Sequence, residues 1–423
     1  MSAAIPDLQI GSGRLNPMAT AAELDRPTDS PDAFRTEVRE WLAANFTASL
    51  RGADNTQNAL ERPTQETPEQ KAWREAMGAK GWGVPTWPKQ YGGGGLSREQ
   101  ARVLQEEMAK AGAWNPIGGM GVMMFGPTLL EYGTEEQKQE HIPSIAMGAI
   151  RWCQGYSEPG AGSDLASLQT FAEDKGDHYL VNGQKTWTSG GQWADKCFAL
   201  VRTDKTQKHG GISFLLIDMR AEGVETRPIK LISGASPFCE TFFTNVKVPK
   251  GNLVGREGQG WEIGTRLLQH ERSGISAGSG STARLEGGST IAETAKQYRG
   301  TDAEGRIADA ELRTRIIRHE MDKRAFALTL RRAALEAKGN AGPSAATSIT
   351  KNVGSRIVQD RAELNIEIMG MQGLGMAGEG FSEKELEATH SWLWGKAVSI
   401  YGGSAEIQNN VIAKRILGML DHQ

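Results

Sequence analysis

Tyr156-Ser157-Glu158-Pro159-Gly160-Ala161-Gly162-Ser163-Asp164, followed by Asn182-Gly183-Gln184-Lys185-Thr186-Trp187-Thr188-Ser189-Gly190, is the stretch that decides the fold. A loop so rich in glycine and serine turns backbone N–H groups toward an anion. The second run is reached by a short strand pattern and sets a tryptophan between small hydroxyl residues, an aromatic face with donors beside it. Together the two runs read as a cradle for a flat heterocycle, a flavin.

Around them the chain is long enough, at 423 residues, for two or three packed units. A formal net charge of −3 predicts no nucleic-acid partner. Cys153, Cys197 and Cys239 are too widely spaced for a disulfide framework or a zinc-type pair, and a reducing cytoplasm fits. None of His141, His178, His209, His270, His319, His390 and His422 forms a ligand-spaced pair, so no metal is expected. The first thirty residues carry Asp7, Glu23, Asp25 and Asp29 without a basic, apolar leader, and read as a disordered tail. Ile117 to Leu130 is the most apolar run, but it is broken by glycines and shorter than the roughly 20 residues that span a bilayer. A buried helix, with no membrane span, is expected there.

The texture changes twice along the chain. Phe34, Val38, Trp41 and Leu42 recur at helical spacing, Pro68 to Lys80 and Ser97 to Ala111 read as further helices, and Arg51 to Thr67 reads as loop. The Trp82/Trp87 segment reads as domain packing. Short β-type runs follow at Ser167 to Ala172, His178 to Val181, Lys196 to Val201, Gly211 to Ile217, Val224 to Pro228 and Glu240 to Val248. The helical period returns from Trp261, with a stripe of Leu312, Ile316, Met321, Ala325 and Leu328 on a charge-rich helix that is a solvated face or a subunit contact. These changes divide the chain into a tail (1–30), a helical domain (31–149), a β domain (150–260) and a helical bundle (261–423).

The two opening runs, with Phe243-Thr244-Asn245-Val246-Lys247-Val248-Pro249 and Tyr401-Gly402-Gly403-Ser404-Ala405-Glu406-Ile407-Gln408, resemble the acyl-CoA dehydrogenases in order and spacing. The resemblance implies an α+β multidomain fold: an N-terminal helical domain, a central β-barrel-like domain and a C-terminal four-helix bundle. FAD would lie between the β domain and the bundle. By position, Tyr156 and Ser157 would face the pyrimidine side of the flavin, Gly162 and Ser163 would lie in the loop near phosphate or the CoA chain, and Trp187 and Ser189 would contact the ring. Ser404 and Glu406 hold motif positions that contact FAD in relatives, with capping or pairing alone as the other reading of Glu406. The implied reaction is oxidation of an acyl-CoA to the trans-2-enoyl-CoA, as in lipid catabolism and beta-oxidation, with electrons passing to an electron-transfer flavoprotein.

That reaction needs a base for the α-proton, and the position after the motif tyrosine, a glutamate in many relatives, is Gly402. A second family pattern, as in isovaleryl-CoA and long-chain acyl-CoA dehydrogenases, puts the glutamate on the first bundle helix, before an arginine. Here Glu271 and Arg272 stand there, and Glu271 follows Leu267 and Leu268 on an apolar stripe. Desolvation on such a stripe raises a carboxylate's pKa and strengthens it as a base. The plain alternative is a helix glutamate paired with an arginine. Arg272 would orient the helix or substrate, or only form a salt bridge, and Gly402 would offer its N–H to the thioester oxygen. A base moved away from position 402 favours branched, cyclic or long acyl groups.

The sequence departs from the family at the adenine end. Arg299 is kept, but the aromatic residue expected after it is lost, and the usual glutamine and double glycine become Glu367-Ile368-Met369-Gly370-Met371-Gln372-Gly373. The insert Ala377 to Trp394 reads as a loop over the adenine or a solvated excursion. A homo- or heterotetramer is implied, and two other functions stay open. One is a catalytically silent subunit of a mixed assembly, and the other is a flavin monooxygenase or nitroalkane oxidase on the same fold.

Overall fold

The computed structural model describes residues 31–51, 65–274, 290–339 and 349–420. The tail expected over 1–30 and most of the loop expected over Arg51 to Thr67 lie outside the described residues. Helices come first: α1 (Pro31–Asn45), α2 (Pro68–Ala79), α3 (Arg98–Ala111), α4 (Gly126–Tyr132) and α5 (Glu135–Ala146). Capping boxes at Thr67/Gln70, Ser97/Gln100 and Thr134/Gln137 start α2, α3 and α5, each side chain satisfying a backbone donor of the other residue. Phe34, Val38, Leu42, Trp73, Trp82, Val103 and Leu104 form one core, with Trp41 packed edge-on to Trp82 at 4.8 Å. The helix expected over Ile117 to Leu130 contains a π turn at Gly121–Phe125 ahead of α4, and its Met123 is exposed. Trp87 packs directly over Gly126, where a Cβ would collide with the indole.

Within this domain the buried Glu107 accepts from Arg39 Nε at 2.6 Å, from Lys110 Nζ at 2.7 Å and from Arg35. Those donors outweigh burial and hold its carboxyl at about 2, against an ordinary 4.5. A depressed carboxylate pKa stabilises the fold fully above the unfolded value and loses that contribution as pH falls through the folded one. The Glu107→Gln variant is therefore less stable than wild type at pH 7, and the gap narrows between pH 4.5 and 2. Unfolding midpoints followed over that range check this; a gap independent of pH contradicts it.

The middle of the chain is an eight-stranded sheet: β1 (Trp152–Gly155), β2 (Phe171–Asp174), β3 (His178–Ser189), β4 (Lys196–Arg202), β5 (Ile212–Asp218), β6 (Val224–Ile229), β7 (Phe238–Pro249) and β8 (Leu253–Val254). Its order is β6-β7-β3-β2-β4-β5-β8, with β1 parallel to β4. Central β4 is buried on both faces, so its residues alternate between two cores. Cys197, Ala199 and Val201 face the inside of the β domain, while Phe198 and Leu200 face the helices. There Phe125, Phe198 and Phe214 stack at 5.4 and 6.2 Å, and Tyr156 meets the last two edge-on.

Five of the six expected strand runs fall on β3 to β7. The run Ser167 to Ala172 does not: Leu165–Ser167 is a 3-10 turn and the strand begins at Phe171. Arg202 causes this by drawing the Ala166 and Leu168 carbonyls onto its guanidinium, at 2.7 and 3.0 Å.

The last part is α6 (Gly260–Gly274), α7 (Ile291–Arg299), α8 (Ala310–Gly339), α9 (Thr350–Met369), α10 (Glu383–Gly395) and α11 (Ala405–Val411). Helix α8 corrects the expected stripe: Leu312 and Ile316 are buried, but Met321 and Leu328 are exposed. The buried line runs through Leu312, Ile316, His319 and Ala333, and a second apolar line at Ile317, Met321, Leu328 and Leu335 faces outward. The insert Ala377 to Trp394 is neither a loop nor a solvated excursion in its second half, since α10 packs on α9 there. No helix among the described residues is long and apolar enough to cross a membrane.

Candidate active site

Residues Glu158 to Ala161 form a tight turn closed by two backbone hydrogen bonds, 3.1 and 3.0 Å. Beyond it Gly162, Ser163 and Asp164 are exposed, and a Cβ at Gly160 or Gly162 would meet only open space. The loop thus presents bare backbone, the form an anionic ligand needs. Behind the turn Lys185, completely buried, donates to Glu158 Oε1 at 2.8 Å and to the Tyr156 carbonyl at 3.1 Å. Glu158 also accepts from the Gln169 and Thr170 N–H groups at 2.6 and 2.9 Å. Burial opposes ionisation of Glu158, yet Lys185 and these donors hold its carboxyl below the ordinary range. Burial pulls the Lys185 ammonium down, and Glu158 opposes that shift. The 2.8 Å contact between them ties the loop to β3.

Immediately after Lys185, β3 bulges. Lys185 pairs with Thr241 and Thr188 with Cys239, so Thr186 and Trp187 face the single Glu240 on β7. The Thr186 N–H donates to the Ser157 carbonyl at 2.9 Å, and Trp187 takes φ 58°, a conformation rare for a large side chain. Such strain persists where neighbours enforce it and clusters at ligand sites. The bulge turns the indole outward, 55 % exposed, with its edge on Phe238 at 6.0 Å. Trp394 of α10 stacks on Phe238 at 5.6 Å, which links the bundle to this platform. Tyr156 is buried, while Ser157 and Ser189 are half-buried beside the bulge. An outward aromatic face next to bare backbone N–H groups fits a flavin ring and its phosphates. A cavity of about 540 Å³ opens on the same loop, lined by Glu158, Gly160, Gln169, Thr170 and Gln184.

The first bundle helix runs close over this site. A Cβ at Gly264 would lie 3.4 Å from the Tyr156 hydroxyl, and Ile263 and Leu267 are completely buried. Position 271 continues the line of Gly264 and Leu267 along α6, but the side chains of Glu271 and Arg272 lie outside the described ones. His270 turns to the N-terminal domain, 3.2 Å from Glu131, which Arg266 also holds at 2.7 Å. Burial pushes the His270 imidazole down, against the pull of Glu131.

The remaining expected residues sit on other elements. Gly402 has φ 65°, where any side chain costs about 1–2 kcal/mol. Ser404 caps α11, accepting from the Ile407 N–H at 3.4 Å, and Glu406 is exposed in that helix's first turn, its carboxyl lowered by its own N–H and by the Ser404 hydroxyl. Arg299 is exposed and donates to the Glu367 carbonyl, at the altered segment that ends α9. Among the described residues no cluster of three or more His, Cys, Asp or Glu could hold a metal. Glu158, Lys185, Phe238 and Trp394 join the site without being among the residues expected there from the sequence. A lysine on the inward register of a buried strand was the available signal for the first two.

Three family models match the chain in order: the acyl-CoA dehydrogenase N-terminal domain over residues 28–149, the middle domain over 153–246 and the C-terminal domain over 258–417. Acyl-CoA dehydrogenase IpdE1 of Mycolicibacterium smegmatis is 35% identical over 400 residues, 91% of this chain and 97% of that protein. The Tcur3481-Tcur3483 steroid ACAD superposes with a TM-score of 0.71 at 29% identity, covering 94% of this chain and 99% of that one. The ChsE4-ChsE5 complex from Mycobacterium tuberculosis superposes at 0.68 and 30% identity, covering 94% and 100%. The helical, β and helical order, the bulged tryptophan beside the glycine loop and this likeness over more than nine-tenths of the chain have one consequence: the chain belongs to the acyl-CoA dehydrogenase family.

Proposed function

We propose that the chain oxidises a bulky acyl-CoA thioester to the trans-2-enoyl-CoA with Glu271 as base. The carrying observation is the course of α6, whose Gly264 backbone passes the Tyr156 hydroxyl. Position 271 then follows two turns on, about 10 Å along the axis and on the same line. Glu271 takes the α-proton, and the Gly402 N–H holds the thioester oxygen, which acidifies that proton. Tyr156, Ser157, Trp187 and Ser189 hold the ring of FAD, and Gly162 and Ser163 the phosphates or the CoA chain. Arg272 orients the substrate, while Arg299, Ser404 and Glu406 serve the adenine end, within this subunit or a neighbour's. When bound, FAD supplies the acceptor for the β-hydrogen as hydride, and an electron-transfer flavoprotein is the onward partner.

The acyl group follows from two supports: the absence of any side chain at Gly402, and relatives named as steroid enzymes. We place the substrate among ring-bearing, steroid-derived acyl-CoAs. The outward line Ile317, Met321, Leu328 and Leu335 fits burial in a tetramer, homomeric or of two chain types as the ChsE4-ChsE5 name describes for that relative. In a dye-coupled screen of acyl-CoAs, ring-bearing acyl groups should exceed butyryl-CoA in kcat/KM by about 10- to 200-fold. A preference for butyryl-CoA would contradict the assignment.

A further inference from the structure

We infer that Lys185 is a positioning residue that tunes the flavin through the peptide between Tyr156 and Ser157; the inference rests on the flavin reading above. The Tyr156 carbonyl and the Ser157 N–H belong to one peptide unit. Lys185 Nζ lies 3.1 Å from that carbonyl oxygen and is shut off from water. A cation on the oxygen draws electron density through the amide and makes its N–H a stronger donor. The Ser157 N–H has no acceptor among the described residues, and the Ser157 carbonyl is fixed from β3 by the Thr186 N–H. In a trans peptide the N–H lies opposite its carbonyl, so this donor faces away from buried Lys185, and the Thr186 bond keeps Ser157 next to the bulge that carries Trp187.

Glu158 balances the cation at 2.8 Å and is itself anchored by the Gln169 and Thr170 N–H groups. The two charges act on the same loop with opposite sign. Removing the cation leaves an anion that disfavours electron arrival at the flavin; removing the anion leaves a cation that favours it. In a pair that served only to hold the loop, either loss would disturb the site in the same way.

The test equilibrates wild type, Lys185→Met, Glu158→Gln and the double variant with a reference redox dye at pH 7, each at saturating added FAD. Lys185→Met should shift the flavin's equilibrium about tenfold toward oxidised, the size of one charge-assisted hydrogen bond. Glu158→Gln should shift it by a similar factor toward reduced, and the double variant should fall between them. Singles that shift in the same direction, or not at all, overturn the inference. If one single variant fails to fold, the other decides: a shift opposite to the one stated for it, or no shift, overturns the inference. A wild-type chain that binds no FAD overturns the functional reading, and this inference with it.

Discussion

Replacing Glu271 by glutamine should lower turnover of acyl-CoA by about 10²- to 10⁴-fold, the range a positioned general base supplies, while FAD stays bound. Glutamine keeps the shape and helix propensity of glutamate and removes only the proton acceptor. Gly402 offers no replacement, because its backbone is left-handed at φ 65° and carries no acid. The plain alternative, a helix ion pair with Arg272, gives another result: turnover close to wild type and a stability change of at most about 1 kcal/mol. Steady-state kinetics with a dye acceptor, run beside flavin absorbance, separates the two.

A second large effect should come from Arg202→Met. The Arg202 guanidinium is buried and serves five backbone carbonyls: Leu168, Ala166, Gln207, Lys208 and Asp204, at 2.7 to 3.4 Å. It thereby fixes the turn after Asp164 and the loop from which Lys208 reaches Asp164 at 3.2 Å. Methionine fills part of the volume and satisfies none of these acceptors. Even with water returning to the outer ones, about 3–4 kcal/mol of stability should be lost, since each buried unsatisfied group costs about 1–3 kcal/mol. The denaturant midpoint measures this directly, and a loss below about 1 kcal/mol would contradict the part given to Arg202.

Both effects show where the sequence was readable. The helix starts, the change to strands and the bulged tryptophan's motif were legible because caps, alternation and glycine spacing are local signals. Strand β1 was not, since Trp152-Cys153-Gln154-Gly155 is short and its parallel partner β4 lies some forty residues on. Arg202 and Lys185 escaped because a charged residue in a strand reads as solvated until its acceptors are seen. Helix α8 misled for a related reason: apolar spacing marks stripes but does not say which stripe its own chain covers. Trp394 could be placed on Phe238 only once the insert was seen to form α10.

The most direct test is anaerobic mixing of the purified chain with a ring-bearing acyl-CoA while the flavin absorbance is followed. Wild type should be yellow and bleached by the substrate, and the Glu271→Gln variant should be equally yellow but stay unbleached. A colourless chain, or a variant that bleaches like wild type, would contradict the proposed function.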